Sequence, residues 1–244
     1  MLQFSKLKKV AVANHSGAMG AYTISKNRDI PKTYSSRVSV IYSITALFFL
    51  FLPFTLWGQM KVTSELSDIA KTQETLWDFF ELEGIQYQKL IITSKDLGNK
   101  TYKLSVKEIW DGEITKDSTI VDTNMFPDFL KTVGDTILTL SVISKFTDEH
   151  KLKMFFRFPK FSIKKEFDAA FLDEWSPYSL RKVVGTEIVE FDKNFYLMVY
   201  MLPYIVGNSR QYCAVENSGE DIENWGKKFN IKHYLVFEMK FETL

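Results

Sequence analysis

Apolar and polar residues alternate in two rhythms along this chain, and a long uncharged block precedes both. The block runs from Val38 to Met60, 23 residues between Arg37 and Lys61, and its centre, Ala46 to Trp57, is the most apolar stretch of the sequence. Helical spacing follows. Leu66, Ile69, Ala70, Leu76, Trp77 and Phe80 recur as on one face of a helix, with Thr63 or Ser64 as its cap and Gly84 as its stop. The period then switches to two. Tyr102, Leu104 and Val106 alternate with Lys103, Ser105 and Lys107, a half-buried strand whose rhythm breaks at Glu108 before Ile109 and Trp110. Asp111-Gly112 marks a turn, and Ile114 to Val121 is the returning strand.

Met125 to Val133 reads as a short helix or turn closed by Gly134, and Ile137 to Phe146, apolar on both faces, as a central strand. Thr147 to His150 turns the chain into a strand over 151–158. Glu166 to Trp175 looks helical, ending before Pro177. A hairpin over Thr186–Phe191 and Phe195–Leu202 flanks Asp192-Lys193-Asn194, and Gly207-Asn208 supplies a tight turn before Arg210–Glu216. Ser218 caps an acidic first turn (Glu220, Asp221, Glu223) of a helix running to about Phe229, the sign a helix N-terminus favours. Ile231, His233, Leu235, Phe237, Met239 and Phe241 then alternate with Lys232, Glu238, Lys240 and Glu242 as a last strand. Eight or nine strands with three or four short helices make an α+β domain, mainly antiparallel sheet, either a curved sheet, a sandwich or an open barrel, preceded by the hydrophobic segment. Residues 59–244 carry no linker and no repeat, and read as one domain.

Charge separates the two parts. Residues 1–58 hold seven Lys and Arg against one acid, Asp29, a net +6; residues 59–244 hold 24 basic and 29 acidic groups, a net −5. The tail 1–37 has no apolar set large enough to bury and reads as disordered. Segment 38–57 just reaches the roughly 20 apolar residues a membrane-crossing helix needs. Three readings are open: a buried core helix, a secretory signal cleaved between Gly58 and Gln59, and an uncleaved signal anchor with its basic tail in the cytoplasm. The segment resembles bacterial signal peptides that end in a small residue followed by Gln. The long tail favours the anchor or a start downstream of Met1. Either export reading places residues 59–244 outside the cytoplasm, secreted or periplasmic if cleaved and single-pass membrane-bound if not.

Apolar residues make up 45% of the chain and charged residues 25%, which excludes a wholly disordered, collagenous or coiled-coil protein. The 21 Phe and 11 Tyr imply a well-filled aromatic core. One cysteine excludes an intrachain disulfide and a multi-Cys metal centre. Dinucleotide, P-loop, Gly-x-Ser-x-Gly and His-Glu-x-x-His patterns are missing from the sequence. Asp148-Glu149-His150 is a polar turn, since neighbouring residues on a strand point to opposite faces. Cys213 and His233 would meet only if their strands pair; each is more simply a buried group. The carboxylate pairs Asp111 and Glu113, Asp173 and Glu174, and Glu220 with Asp221 and Glu223 are solvated faces or helix-start charges. No catalytic residue, metal or cofactor is assigned.

Two sets remain as binding candidates. Lys151, Lys153, Phe155 and Arg157 share one face of a strand, opposite Leu152, Met154, Phe156 and Phe158, and Lys160, Lys164 and Lys165 extend the basic run. Such a strip suits an anion: a phospholipid headgroup, an acidic polysaccharide or an acidic protein. Its alternative is a sheet edge protected by Lys and Pro159. The second set, Tyr196, Tyr200, Tyr212 and Phe237, with Met198 and Tyr204 nearby, suits an apolar small-ligand pocket or plain core. Tyr102–Val121, through Val106-Lys-Glu-Ile-Trp-Asp-Gly112, resembles one hairpin of netrin-like OB modules, without that family's cysteines.

The expectation is an exported or membrane-anchored, non-catalytic binding module of the cell envelope. Its partner would be an envelope protein, an anionic surface or a small apolar ligand, but not nucleic acid, and segment 38–57 would touch the membrane if uncleaved. The alternatives are an envelope hydrolase working through carboxylates, discriminated by two of them facing across a concave pocket, and a structural subunit held by its N-terminal helix.

Overall fold

The chain divides into two units, Met1–Thr55 and Leu56–Leu244. A computed structural model describes residues 59–65, 74–173, 175–183, 189–212 and 221–243, all in the second unit. The basic tail, segment 38–58, Cys213, Ser218 and Glu220 lie outside the described residues.

The described residues are mostly antiparallel β-sheet, in several sheets of which none closes. Twelve strands are present: β1 (Lys61–Glu65), β2 (Ile85–Thr93), β3 (Thr101–Trp110), β4 (Glu113–Asp122), β5 (Ile137–Phe146), β6 (Lys151–Arg157), β7 (Ser162–Asp168), β8 (Ser179–Lys182), β9 (Phe195–Met201), β10 (Tyr204–Val206), β11 (Ser209–Gln211) and β12 (His233–Glu242). Three short helices accompany them, α1 (Glu74–Leu82), α2 (Asp128–Lys131) and α3 (Trp225–Phe229). Sheet I has the order β1-β2-β5-β6-β7, sheet II the order β4-β3-β12-β9-β8, and β10-β11 is a separate hairpin.

Alternation builds the core, because every second side chain of a strand falls on one face. Leu138, Leu140 and Val142 of β5 and Leu152, Met154 and Phe156 of β6 are buried, while their neighbours are partly or fully open. Leu104 and Val106 do the same in β3. The sheets meet through rings: Phe156 lies 5.6 Å and Phe167 6.3 Å from Phe237, and Tyr102 lies 5.4 Å from Phe158.

Register defines two ends. Lys61, Thr93 and Ile137 line up across β1, β2 and β5. The contact of Tyr102 with Phe158 brings the start of β3 to that same end. This is the near end, where the chain enters at Met60. At the far end, Phe146 of β5 stacks on Tyr178, just ahead of β8, and Tyr178 lies 5.4 Å from Tyr200.

Several expectations are met. The Asp111-Gly112 turn, the returning β4, the central β5, the turn over 147–150 and the Gly207-Asn208 hairpin all form. Asp111 and Gly112 take the positive φ of such turns, at 48° and 81°. The ladder between β3 and β4 shifts register between Glu108 and Ile109, where the rhythm breaks.

Others are corrected. Thr63 and Ser64 do not start a helix. They belong to β1, whose pairing with β2 buries Val62, and the described helix begins at Glu74. The helix expected over 166–175 is instead the end of β7 and a loop, because the backbone finds a ladder partner in β6 and Phe167 enters the core. The hairpin expected between Thr186–Phe191 and β9 does not form over its described part: Val189 bridges Met60, while β9 pairs with β8 and β12. Strands β2 and β8 carried no clear sequence signal. In β12 the expected alternation holds only from Met239 onward, since every residue from His233 to Met239 is buried.

That last departure has a structural cause. β12 is the centre of sheet II, and its outer face is covered by the turn Ile222–Asn224 and α3. The Tyr234 hydroxyl donates toward the carbonyls of Ile222 and Glu223, at 3.0 and 2.9 Å, and accepts from Gly226 N–H at 3.1 Å. Gly226 packs backbone to backbone on Gly112, so closely that a Cβ on Gly226 would lie 2.5 Å from Gly112 Cα. Gly226→Ala should therefore destabilise the domain by about 1–3 kcal/mol through overpacking, read as a lowered midpoint in chemical denaturation. Gly98→Ala, whose Cβ would meet nothing nearer than 3.9 Å, should cost much less.

Candidate binding surfaces

Strand β6 presents the basic strip as the alternation requires, with Leu152, Met154, Phe156 and Phe158 buried and Lys151, Lys153, Phe155 and Arg157 on the outer face. The strip is not a sheet edge. β7 is the edge, and β6 lies one strand in. Register then neutralises half of the strip. Lys151 faces Asp168, whose carboxylate it binds, and Lys153 faces Glu166 at 3.7 Å. The hydrogen bond from Lys151 holds the Asp168 carboxyl below the usual range.

Arg157 and Lys164 instead flank the partly open ring of Phe155, at 5.3 and 5.9 Å from its centre. Lys160 is drawn away to the near end, where its ammonium caps the carbonyls of Phe129 and Thr132 at 3.0 and 3.1 Å. Lys165 pairs across from Met154, on the other face of β7. The seven residues therefore divide into two ion pairs, one cation–aromatic cluster, one helix cap and one lysine on the opposite face.

The aromatic set disperses too. Tyr200 and Phe237 are fully buried between the sheets, and burial pushes the Tyr200 phenol up to about 12. Tyr196 sits beside Glu238 on the outer face of sheet II and donates to Glu223 at 3.0 Å. Tyr212 is at the far end, its hydroxyl on the Pro177 carbonyl and the Arg181 guanidinium 5.5 Å over its ring.

Outside these sets, Lys107 gathers Glu223 and Glu238 at 2.5 and 2.7 Å. Burial opposes its charge, but the hydrogen bonds and charges of both carboxylates outweigh it and hold the ammonium above the ordinary lysine range. The cluster borders a groove of about 420 Å³ among Ser105, Asp117, Thr119, Asn194 and Lys240. Among the described residues no three His, Cys, Asp or Glu side chains gather as metal ligands would.

An open apolar surface lies at the far end, in positions that carried no functional signal in the sequence. Trp175 is 78% exposed, Ile205 62%, Val206 52% and Phe171 49%. They belong to two segments that Arg210 ties together, reaching Asp173 at 3.0 Å and Ser176 at 2.7 Å. The hydrogen bond from Arg210 holds the Asp173 carboxyl low. Between the segments a groove of about 260 Å³ is floored by Leu172, Pro203, Ile205 and Phe229 and rimmed by Asp111 and Lys232. Their one legible sign is large apolar residues beside turn formers: Trp175 before Pro177, and Ile205 and Val206 before Gly207.

Beneath this end lies His233. It is wholly buried, its ring tilted against that of Trp110 at 4.0 Å, with Nδ1 2.5 Å from the Tyr178 hydroxyl, which also accepts from Ala170 N–H at 2.8 Å. Its Nε2 has no hydrogen-bond partner among the described residues. Comparison with protein-family models, with curated proteins and with solved structures finds no match to the chain.

Burial lowers His233 to about 4, with the Asp168 charge opposing weakly. In the unfolded chain the ring takes up its proton near pH 6.5. The unfolded state therefore binds more protons between the two values, and the His233 contribution to stability falls as pH drops from about 6.5 to about 4, by about 3 kcal/mol, and levels off below. Denaturation midpoints over this range should show the loss, and the His233 ring resonances should stay those of a neutral imidazole down to about pH 4.

Proposed function

We propose that residues 59–244 form an exported or membrane-anchored binding module of the cell envelope that holds a partner protein at its far end. The observation that carries this reading is the exposed set Trp175, Phe171, Ile205 and Val206 around a groove floored by Leu172 and Phe229. Contiguous apolar surface rimmed by polar groups marks interaction sites, and tryptophan in particular carries binding energy there. The Arg210 tie pre-organises both segments, which lowers the ordering cost of association. We read the two sheets as an open sandwich, and its end loops as the usual place for recognition.

The location rests on sequence: an uncharged segment behind a basic tail and ahead of an acidic domain. No helix among the described residues is long and apolar enough to cross a membrane; segment 38–57 lies outside them. The basic strip is the second candidate surface, reduced to Arg157, Phe155 and Lys164 once the ion pairs of β6 and β7 are set aside. A carboxylate hydrolase would draw on Glu223 and Glu238, but the Lys107 ammonium fills the space between them.

Photo-crosslinking in the native cells tests the far end against the strip. A benzoylphenylalanine at position 175 or 205 of the full chain should give a discrete protein adduct, and one at position 164 should not. Ile205→Asp should abolish the adduct formed from position 175 while leaving the thermal midpoint within the ~0.5 kcal/mol expected of a surface change. Adducts from position 164 alone would move the binding surface to the strip.

A further inference from the structure

The near end carries its own open apolar set. Met125 is 85% exposed, Phe129 72% and Ile137 49%. The first two belong to the connection between β4 and β5 and the third opens β5, and they form one ledge. Lys160 anchors Phe129 through its carbonyl, Phe126 meets Phe161 at 5.0 Å, and Ile137 lines a small cleft with Val133 and Pro159. Acids and bases alternate around it, Asp128 and Asp135 against Lys131 and Lys160, so the ledge is not an electrostatic anion site.

Its place relative to the chain path says what covers it. Ile137 lies in the same row as Thr93 and Lys61, so the ledge sits at the end where the polypeptide arrives from segment 38–57. Only Gly58, Gln59 and Met60 separate Trp57, the last residue of the apolar centre, from Lys61, the first residue of β1. Four Cα–Cα steps span at most about 14 Å. If the segment is embedded, so short a tether holds the near end at the headgroups, where Met and Phe side chains gain by entering the acyl boundary.

We infer that the ledge of Met125, Phe129 and Ile137 rests in the lipid surface, docking the domain near end down and leaving the far-end groove facing away from the membrane. The inference rests on segment 38–57 remaining uncleaved. Apolar insertion rather than charge drives the contact, so it is the same on zwitterionic and on anionic bilayers.

The test uses the full chain with Cys213→Ser in phosphatidylcholine nanodiscs, carrying a bimane on Met125→Cys, on Phe129→Cys or, as the far-end control, on Val206→Cys. Lipids bearing a nitroxide near the top of the acyl chain should cut emission from 125 and 129 by roughly half or more, the depth range of interfacial insertion. Emission from 206 should be unchanged, and 30% phosphatidylglycerol should leave all three values as they were. A chain that resists alkaline carbonate but shows no quenching at 125 and 129, or equal quenching at 206, overturns the docking and leaves the anchor standing. A chain that carbonate extracts, or that begins at Gln59, overturns the anchor and the docking together.

Discussion

Strand β12 is the constraint on which the rest of this domain depends. Its backbone is saturated on both sides, by β3 and by β9, so it cannot be displaced without opening sheet II from the middle. One of its faces supplies Phe237, the ring that Phe156 and Phe167 of sheet I close upon. The other supplies Tyr234, whose hydroxyl fastens the Ile222–Phe229 segment through three backbone groups. Its first residue, His233, ties the strand to Tyr178 and to Trp110 beneath the far end. Removing water from both faces of a single strand concentrates the apolar burial that drives folding. It also commits that strand to hold a polar atom, His233 Nε2, that finds no partner among the described residues.

The polar layer outside sheet II follows from the same arrangement. Lys107, Glu223 and Glu238 come from three elements, and they converge because β3 and β12 are in register and Tyr234 holds Glu223 close above them. One cation between two carboxylates is an electrostatic lock on the outer layer. The charges of the basic strip are likewise mostly internal, since the β6–β7 register sets Lys151 and Lys153 opposite Asp168 and Glu166. The exposed apolar residues Trp175, Ile205, Met125 and Phe129 lie at the ends of the sheets.

Much of this architecture was legible in the sequence where local pattern and tertiary need agree. β3 and β6 alternate as they do because one face is core, and Asp111-Gly112 and Gly207-Asn208 mark their turns by the conformations those residues tolerate. Reading failed where tertiary pairing overrode local preference. Thr63 and Ser64 suit a helix cap and Glu166 to Trp175 a helix, yet ladder partners in β2 and β6 claim 61–65 and 162–168. β12 looked one-sided because nothing local announces that Ile222–Phe229 will fold over it. The basic strip was visible as a run of like charges, but its acidic partners lie across a hairpin whose register no single sequence displays. The far-end groove was invisible for the opposite reason: its residues come from distant segments that tertiary contacts, those of Arg210 and Tyr212 among them, bring together.

The proposed export places residues 59–244 outside the cytoplasm, presenting loops at the end away from the chain's entry. Sequencing the N-terminus of the native protein by mass spectrometry, from membrane and soluble fractions of the same cells, tests it most directly. The account predicts either a soluble chain beginning at Gln59 or a membrane-bound chain retaining residues 38–57. An intact chain, residues 38–57 included, in the cytosolic fraction would contradict it.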